Sequence, residues 1–363
     1  MSKSVLIFPA GMPRSLAYLD HALSEGQRVV GSSSLRYDPA RERYPFWVYL
    51  PYVTAADFET SLRIAITEFD IGGIYTPNPV VWNHLRRIMG ESFPGVSLVN
   101  SSPVHREVEP YLKALQFARS VLDEPLNLGA NGPTKPPLST TAIAALFRHA
   151  DVIPGMCDHD KIHAFCELFR FAPLGDVVEI GSWWGKSAFA LIWLACSYNV
   201  GKLLCVDPWA NEHLVQNDDK GLVDQVPVNA DEALIVFQIN LLPYSHGSVN
   251  YLRMPSVQAA RAYRSSQVVV TPLFGETHYS GHISILHIDG NHSPQNVSAD
   301  IAEWTSFVLP GGWIIIDDYT WPYGKGPQTV GDEFLSSNSD RIEISFVMGG
   351  ALFIRLKARI SRR

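Results

Sequence analysis

The chain has 363 residues, 46% of them hydrophobic and 18% charged, with a formal net charge of −7. That is the balance of a globular protein with room for two domains. It excludes a general nucleic-acid binder, which needs a basic surface. Four cysteines, Cys157, Cys166, Cys196 and Cys205, form no CxxC pair. Reduced thiols in a cytoplasmic protein are therefore expected, in preference to a disulfide framework or a zinc site. The opening run SVLIFPAG is too short for a signal core, and no apolar stretch reaches the ~18 residues that span a bilayer, so no membrane partner is expected.

The first hundred residues alternate strands and helices. SVLIFPAG (4–11) reads as a buried strand, and Leu16, Leu19 and Leu23 mark a helix over 13–25 that stops at Gly26. QRVVGSSSL (27–35) is a second strand and IGGIYTP (71–77) a third, with helices near 55–68 and 81–89. Such alternation predicts a parallel sheet with helices on its faces, a small Rossmann-like α/β domain. Its first turn, Gly11-Met12-Pro13, lacks the spaced glycines of a dinucleotide fingerprint. The order of elements resembles, at the level of fold, the small α/β domain that precedes the ATP-grasp fold. Fold alone assigns no activity, so a structural or homo-oligomerising role is the default here, with substrate contact second.

A helix near 107–122 leads into DEPLNLGANGPTKPPLST (123–140), whose Pro, Gly and Asn content marks a linker. The predicted division is thus 1–122 for the first domain, 123–140 for the linker and 141–363 for the second. Ser139 or Thr140 is placed to cap a helix over 141–149.

The first strand of the second domain lies in VVEIGSWWGKSAFAL (177–191). Its Gly-Lys-Ser suggests a phosphate loop, but only three residues separate Gly181 from Gly185 where such a loop needs four. Glu179 also stands two positions before the first glycine, where a carboxylate repels phosphate. The turn suits a ligand carrying positive charge. KLLCVDPW (202–209), VNYLRMPS (249–256), ISILHIDGN (283–291) and GGWIIIDDY (311–319) follow as strands, with helices over 229–242 and 299–308. IEISFVMGGALFIRLK (342–357) predicts a terminal hairpin turning at Gly349-Gly350. Five strands linked by helices and then an antiparallel pair give a seven-stranded doubly wound sheet, in which ligands bind outside the carboxyl ends of the strands. The polar residues gather at those ends: Glu179, Asp207, Ser256, Asp289, Asp317 and Asp318.

The runs VVEIGSWWGKS, CVDPW and HIDGNHSPQNVSADIAEWTSFVLPGGWIIIDDY resemble the class I S-adenosylmethionine-dependent methyltransferases, and within them the macrocin O-methyltransferase (TylF-like) group. The resemblance covers residues from about 154 to 357. It implies an S-adenosylmethionine- and Mg²⁺-dependent O-methyltransferase acting on a hydroxyl of a sugar or glycosylated small molecule. It places Glu179, Gly181 and Gly185 at the methionine end of the cofactor, Asp207 on the ribose and Ser256 near the adenine. Pro154-Gly155-Met156-Cys157 then corresponds to part of a lid. Ser187 either donates to the cofactor or caps its helix, and Trp209 either stacks near the adenine or fills core. Lys186 is expected in solvent.

Asp289, Asp317 and Asp318 end two strands that are neighbours in the family's sheet. Neighbouring strands lie ~4.8 Å apart, so their terminal carboxylates can share one cation. The alternative is that one of Asp317 and Asp318 points away, because successive strand residues alternate faces. His292, three residues after Asp289, takes the role of general base by the same resemblance; Asp289 or the metal is the alternative activator of the hydroxyl. Asn291 departs from the family's acid at that position. The loop TPLFGETHYSGH (271–282) either covers the acceptor or is plain surface, and the aromatics Trp321 and Tyr323 are candidates to line the acceptor pocket. A non-catalytic S-adenosylmethionine-binding scaffold, with the first domain recognising a partner, is the competing reading.

Overall fold

A computed structural model describes residues 3–128, 134–216 and 220–358. The chain divides into two compact units, Met1–Leu112 and Lys113–Arg363. Residues 129–133 of the expected linker lie outside the described residues.

In the first unit five parallel strands, β1 (Ser4–Ile7), β2 (Val29–Ser33), β3 (Phe46–Tyr49), β4 (Ile71–Tyr75) and β5 (Ser97–Leu98), lie in the order β3-β2-β1-β4-β5. Side chains along β1 alternate between faces, as a strand requires. Leu6 joins the core under α2 (Phe58–Phe69) and α3 (Pro79–Ser92), whereas Ile7 joins the one under α1 (Pro13–Ser24). Helices on both faces make the unit Rossmann-like. Strand β3 was not legible: FWVY is an edge strand, half exposed along its length, and shows no buried run. The division between units falls inside α4 (Pro103–Asp123), whose Ala114, Ala118 and Val121 belong to the second unit's core.

The second unit begins with α5 (Thr140–Ala150) and α6 (His159–Leu168). Ser139 caps α5 by accepting from the Ala142 N–H. Then come β6 (Asp176–Ile180), α7 (Lys186–Ser197), β7 (Leu203–Asp207), α8 (Ala230–Leu241), β8 (Val249–Arg253) and α9 (Ser256–Ser265). A hairpin of β9 (Val268–Thr271) and β10 (Gly275–His278) precedes β11 (Ile283–Ile288), α10 (Pro294–Trp304), β12 (Val308–Ile316), α11 (Gly326–Ser337), β13 (Ile342–Met348) and β14 (Ala351–Leu356). Seven strands form one sheet in the order β13-β14-β12-β11-β6-β7-β8. The five from β6 to β12 run parallel and β14 is antiparallel to both its neighbours. This is the expected doubly wound sheet with its closing pair.

Strand order reverses between β6 and β11, because β7 continues from β6 on its other side. The ligand crevice of such sheets opens at that point. Two apolar cores flank the sheet. Val177, Ile285 and Ile315 face the core that contains α5, α6 and α7, while Val178, Leu286 and Ile314 face the one beneath α9 and α10. That alternation decides which polar residues meet. Glu179, His287 and Asp317 share parity with Val177, Ile285 and Ile315, so all three turn toward α6 and α7.

Candidate functional site

The turn after β6 is shaped by its neighbours. Gly181 has φ +84°, and a Cβ there would lie 1.9 Å from the carbonyl oxygen of Asp289, which follows β11. Gly185 has φ +86° and packs against Leu241 and Phe237 of α8. Both glycines are therefore demanded by close approach of protein as well as by φ. Asp207, at the tip of β7, ties this turn down. Its Oδ2 accepts from the Trp183 N–H at 3.0 Å and its Oδ1 from the Trp209 N–H at 2.8 Å. Burial raises its pKa, with the backbone donors opposing. Trp209, Trp183 and Ser182 all contribute backbone donors to this carboxylate.

Two expected contacts, Trp209 and Ser256, take other roles. Trp209 is fully buried, packs on Phe237 and Tyr251, and donates its Nε1 proton to Trp183 O at 3.0 Å, so it is core and offers no open face for stacking. Ser256 opens α9, and its Oγ accepts from Trp304 Nε1 at 2.9 Å, fastening α9 to α10. Ser187 is buried in the first turn of α7, a helix without a side-chain cap, which removes the capping alternative. Lys186 Nζ reaches the Gly155 carbonyl at 3.5 Å, so it meets the 154–157 segment where a solvated chain was expected. The 271–282 segment is ordered by its neighbours. It contributes to the β9–β10 hairpin, which Asn250 pins by donating to Val269 O and Gly275 O. Tyr279 donates to Leu203 O.

At the reversal point a buried charged chain crosses three strands. His287 lies opposite Glu179 in the β11–β6 register and opposite Ile315 in the β11–β12 register. Its Nδ1 is 3.1 Å from Glu179 Oε1 and its Nε2 3.2 Å from Asp317 Oδ2. Carboxylates only accept, so both ring nitrogens donate and the ring is an imidazolium. Burial lowers its pKa, but the bonds to Asp317 and Glu179 outweigh that and raise it to about 10. Lys161 of α6 reaches the same Asp317 Oδ2. Burial would raise Asp317; the Lys161 charge and the His287 bond overcome it and hold the carboxyl well below its usual range. Phe165, one turn on from Lys161, sets its ring edge-on to His287 at 5.6 Å. Glu179 is fully buried, and its Oε2 has no partner.

A second group lies at the outer edge. His292 Nε2 is 2.8 Å from Asp318 Oδ2, and Trp321 packs on the imidazole at 4.3 Å between ring centres. Asp289 belongs to both groups. One ligand atom each from His287, Asp289 and Asp317 falls within 4.8 Å of the others, and the same holds for Asp289, His292 and Asp318. The three aspartates expected to share one ion are thus divided. Asp318 sits at φ +52°, outside the strand, with its N–H bonded to Asp317 Oδ1, and the two side chains part there. Burial and the Asp317 charge push the Asp289 carboxyl well above its ordinary value, the repulsion that a cation relieves. Asn291 ties its loop to the segment before residue 217, donating to Val215 O and accepting from Ser293 N.

Sequence reasoning missed Lys161 and His287. The signal for His287 was available, since an imidazole at a core-facing strand position needs buried polar partners. Lys161 gave none, because a lysine in a helix normally reads as surface. All four cysteines are free thiols. Among the described residues, no helix is long and apolar enough to cross a membrane.

Residues 178–319 match the family model of a methyltransferase domain. The match runs from within β6 to just past β12 and contains Glu179, Asp207, Asp289, His292, Asp317 and Asp318. Over this segment, which is less than half of the chain, the protein is similar to methyltransferase domains. Distant structural similarity exists to the O-methyltransferase NovP (16% identity over 70% of this chain and 99% of NovP, TM-score 0.35). It extends to the TDP-rhamnose 3′-O-methyltransferase CalS11 (13%, 71% and 96%, 0.38) and to the MycE methyltransferase of the mycinamycin pathway in complex with Mg and SAH (18%, 62% and 56%, 0.37). These likenesses are too remote to assign a residue role. No curated protein matches the sequence.

Proposed function

We propose that the second unit is an S-adenosylmethionine-dependent O-methyltransferase of the TylF-like kind, assisted by Mg²⁺, with a hydroxyl of a sugar or glycosylated small molecule as acceptor. The observation that carries this reading is the unpartnered Oε2 of Glu179, fully buried beside the glycine turn. A buried carboxylate oxygen without a donor is costly. The ammonium of an amino-acid moiety supplies that donor.

Bound S-adenosylmethionine supplies an electrophilic methyl, and a bound divalent cation lowers the pKa of a coordinated hydroxyl. Asp289 and Asp318 fit the cation, being oxygen donors at the crevice within 4.8 Å of His292. Asp317 is paired with Lys161 and His287, which leaves Asp289 and Asp318 as the proposed ligand pair. His292 is the general base. Asp318 fixes Nε2 as the protonated nitrogen, so Nδ1, which is buried and unpartnered, carries the lone pair that takes the hydroxyl proton. Trp321 and Tyr323 stand edge-to-face at 5.6 Å beside it and give an aromatic surface on which a sugar or flat aglycone packs.

The test is release of S-adenosylhomocysteine from S-adenosylmethionine over a panel of nucleotide sugars and glycosides, with Mg²⁺ and with EDTA. Mg²⁺-dependent release with one acceptor class is expected. Release that EDTA leaves unchanged rejects the cation, and no release with any acceptor rejects the activity.

A further inference from the structure

The chain Glu179–His287–Asp317–Lys161 links parts of the unit that the proposed reaction uses separately. In the proposed reading, Glu179 faces the cofactor's methionine end. Asp317 stands next to Asp318, on the acceptor side. Lys161 comes from α6, a helix in neither strand, and its own N–H is fixed by the Asp158 N-cap. His287 bonds both acids with its two ring nitrogens, at 3.1 and 3.2 Å, and Phe165 packs against its ring.

We propose that His287 is a positioning residue that locks Glu179 and Asp317 into one unit anchored by Lys161, so that cofactor affinity depends on Lys161 through His287. The inference rests on the cofactor reading given above. The free Oε2 of Glu179 is aimed by what holds Oε1. His287 holds Oε1 and is itself held by Asp317, and Lys161 fixes Asp317 by an ion pair buried on both sides. Loss of the anchor lets Asp317 and the ring shift, and Glu179 shifts with them. Because buried ion pairs demand their geometry, a break at one end is felt along the chain.

The sign separates this mechanism from simple electrostatics. Removal of the Lys161 charge from beside the crevice favours a ligand bearing an ammonium. Loss of positioning disfavours it.

The experiment is a double-mutant cycle read by isothermal titration of S-adenosylhomocysteine without added metal, using wild type, Lys161→Met, His287→Gln and the double variant, each checked for folding by near-UV circular dichroism. Each single change is expected to weaken binding about tenfold, and the double variant to bind within about twofold of His287→Gln alone. The cycle is repeated with Lys161→Gln, so that a folded variant is measured whatever Lys161→Met does. Unchanged or tighter binding by folded Lys161 variants overturns the proposal, and so do independent effects that multiply to about 100-fold. A wild type that binds no S-adenosylhomocysteine overturns the cofactor reading itself, and the proposal with it.

Discussion

Asp318 Oδ2 lies 2.8 Å from His292 Nε2, and the other ring nitrogen is buried without a partner. A carboxylate on one nitrogen selects the tautomer whose free lone pair is on the other. In the proposed reaction His292 receives the proton at Nδ1. His292→Gln is expected to lower kcat by about 10²–10⁴-fold with little change in cofactor affinity. Asp318→Asn is expected to lower kcat less and to weaken Mg²⁺ binding, since Asp318 both holds His292 and is a proposed cation ligand. Steady-state kinetics with a Mg²⁺ titration checks both, and an unchanged kcat in His292→Gln contradicts the assignment.

Gly181 fixes the distance between β6 and the tip of β11. An alanine Cβ would meet the Asp289 carbonyl at 1.9 Å, whereas at Gly247, also at positive φ (+98°), it would meet nothing within 4 Å. Gly247→Ala therefore isolates backbone strain, expected at about 1 kcal/mol. Gly181→Ala is expected to cost about 3 kcal/mol more, or to prevent folding. Urea unfolding of the two variants measures the difference, and equal costs contradict the close approach.

Asp207 connects β7 to the turn through two backbone N–H bonds. Asp207→Asn replaces one of those acceptors by an amide that only donates, leaving a buried N–H unpaired at a cost of about 1–3 kcal/mol. S-adenosylhomocysteine binding is expected to weaken together with stability. A variant that loses stability while keeping wild-type affinity contradicts a link between the turn and the cofactor.

The carboxyl of Asp300 is pushed up to about 6 by burial, with the Ser256 hydroxyl opposing. A folded pKa above the unfolded value of 3.8 means that the fold prefers the neutral acid. The resulting stability is fully present below the unfolded value and is lost as pH rises through about 6. Between about pH 4 and about pH 7, wild type is therefore expected to lose up to about 3 kcal/mol relative to Asp300→Asn. Urea melts at both pH values give the difference, and a gap that does not change with pH contradicts it.

The sheet was legible because its strands end in signals that do not depend on partners. Buried runs stop at Gly181, Asp207, Asp289 and Asp317, and Gly349-Gly350 marks the last hairpin. Elements whose pattern is completed only by a neighbour were not legible. α6 carries a buried Lys161 on an otherwise apolar face, and the β9–β10 hairpin is organised by Asn250 from β8. α11 opens on Gly326-Pro327, residues that read as loop.

The site followed the same division. Residue types at the strand tips pointed to the right edge of the sheet, but not to which side chains meet there. That depends on strand parity and register. Parity sends Asp317 inward to His287 and Lys161, and the left-handed backbone at Asp318 sends its side chain to His292. The full burial of Trp209 likewise depends on Phe237 and Tyr251, which lie 28 and 42 residues further along the chain.

In the proposed reaction the buried carboxylate beside the glycine turn receives the amino group of the methyl donor. Isothermal titration of S-adenosylhomocysteine into wild type and Glu179→Gln tests it most directly. One-to-one binding by wild type, weakened about tenfold or more in Glu179→Gln, is the predicted result. Absence of binding, or the same affinity in both proteins, would contradict it.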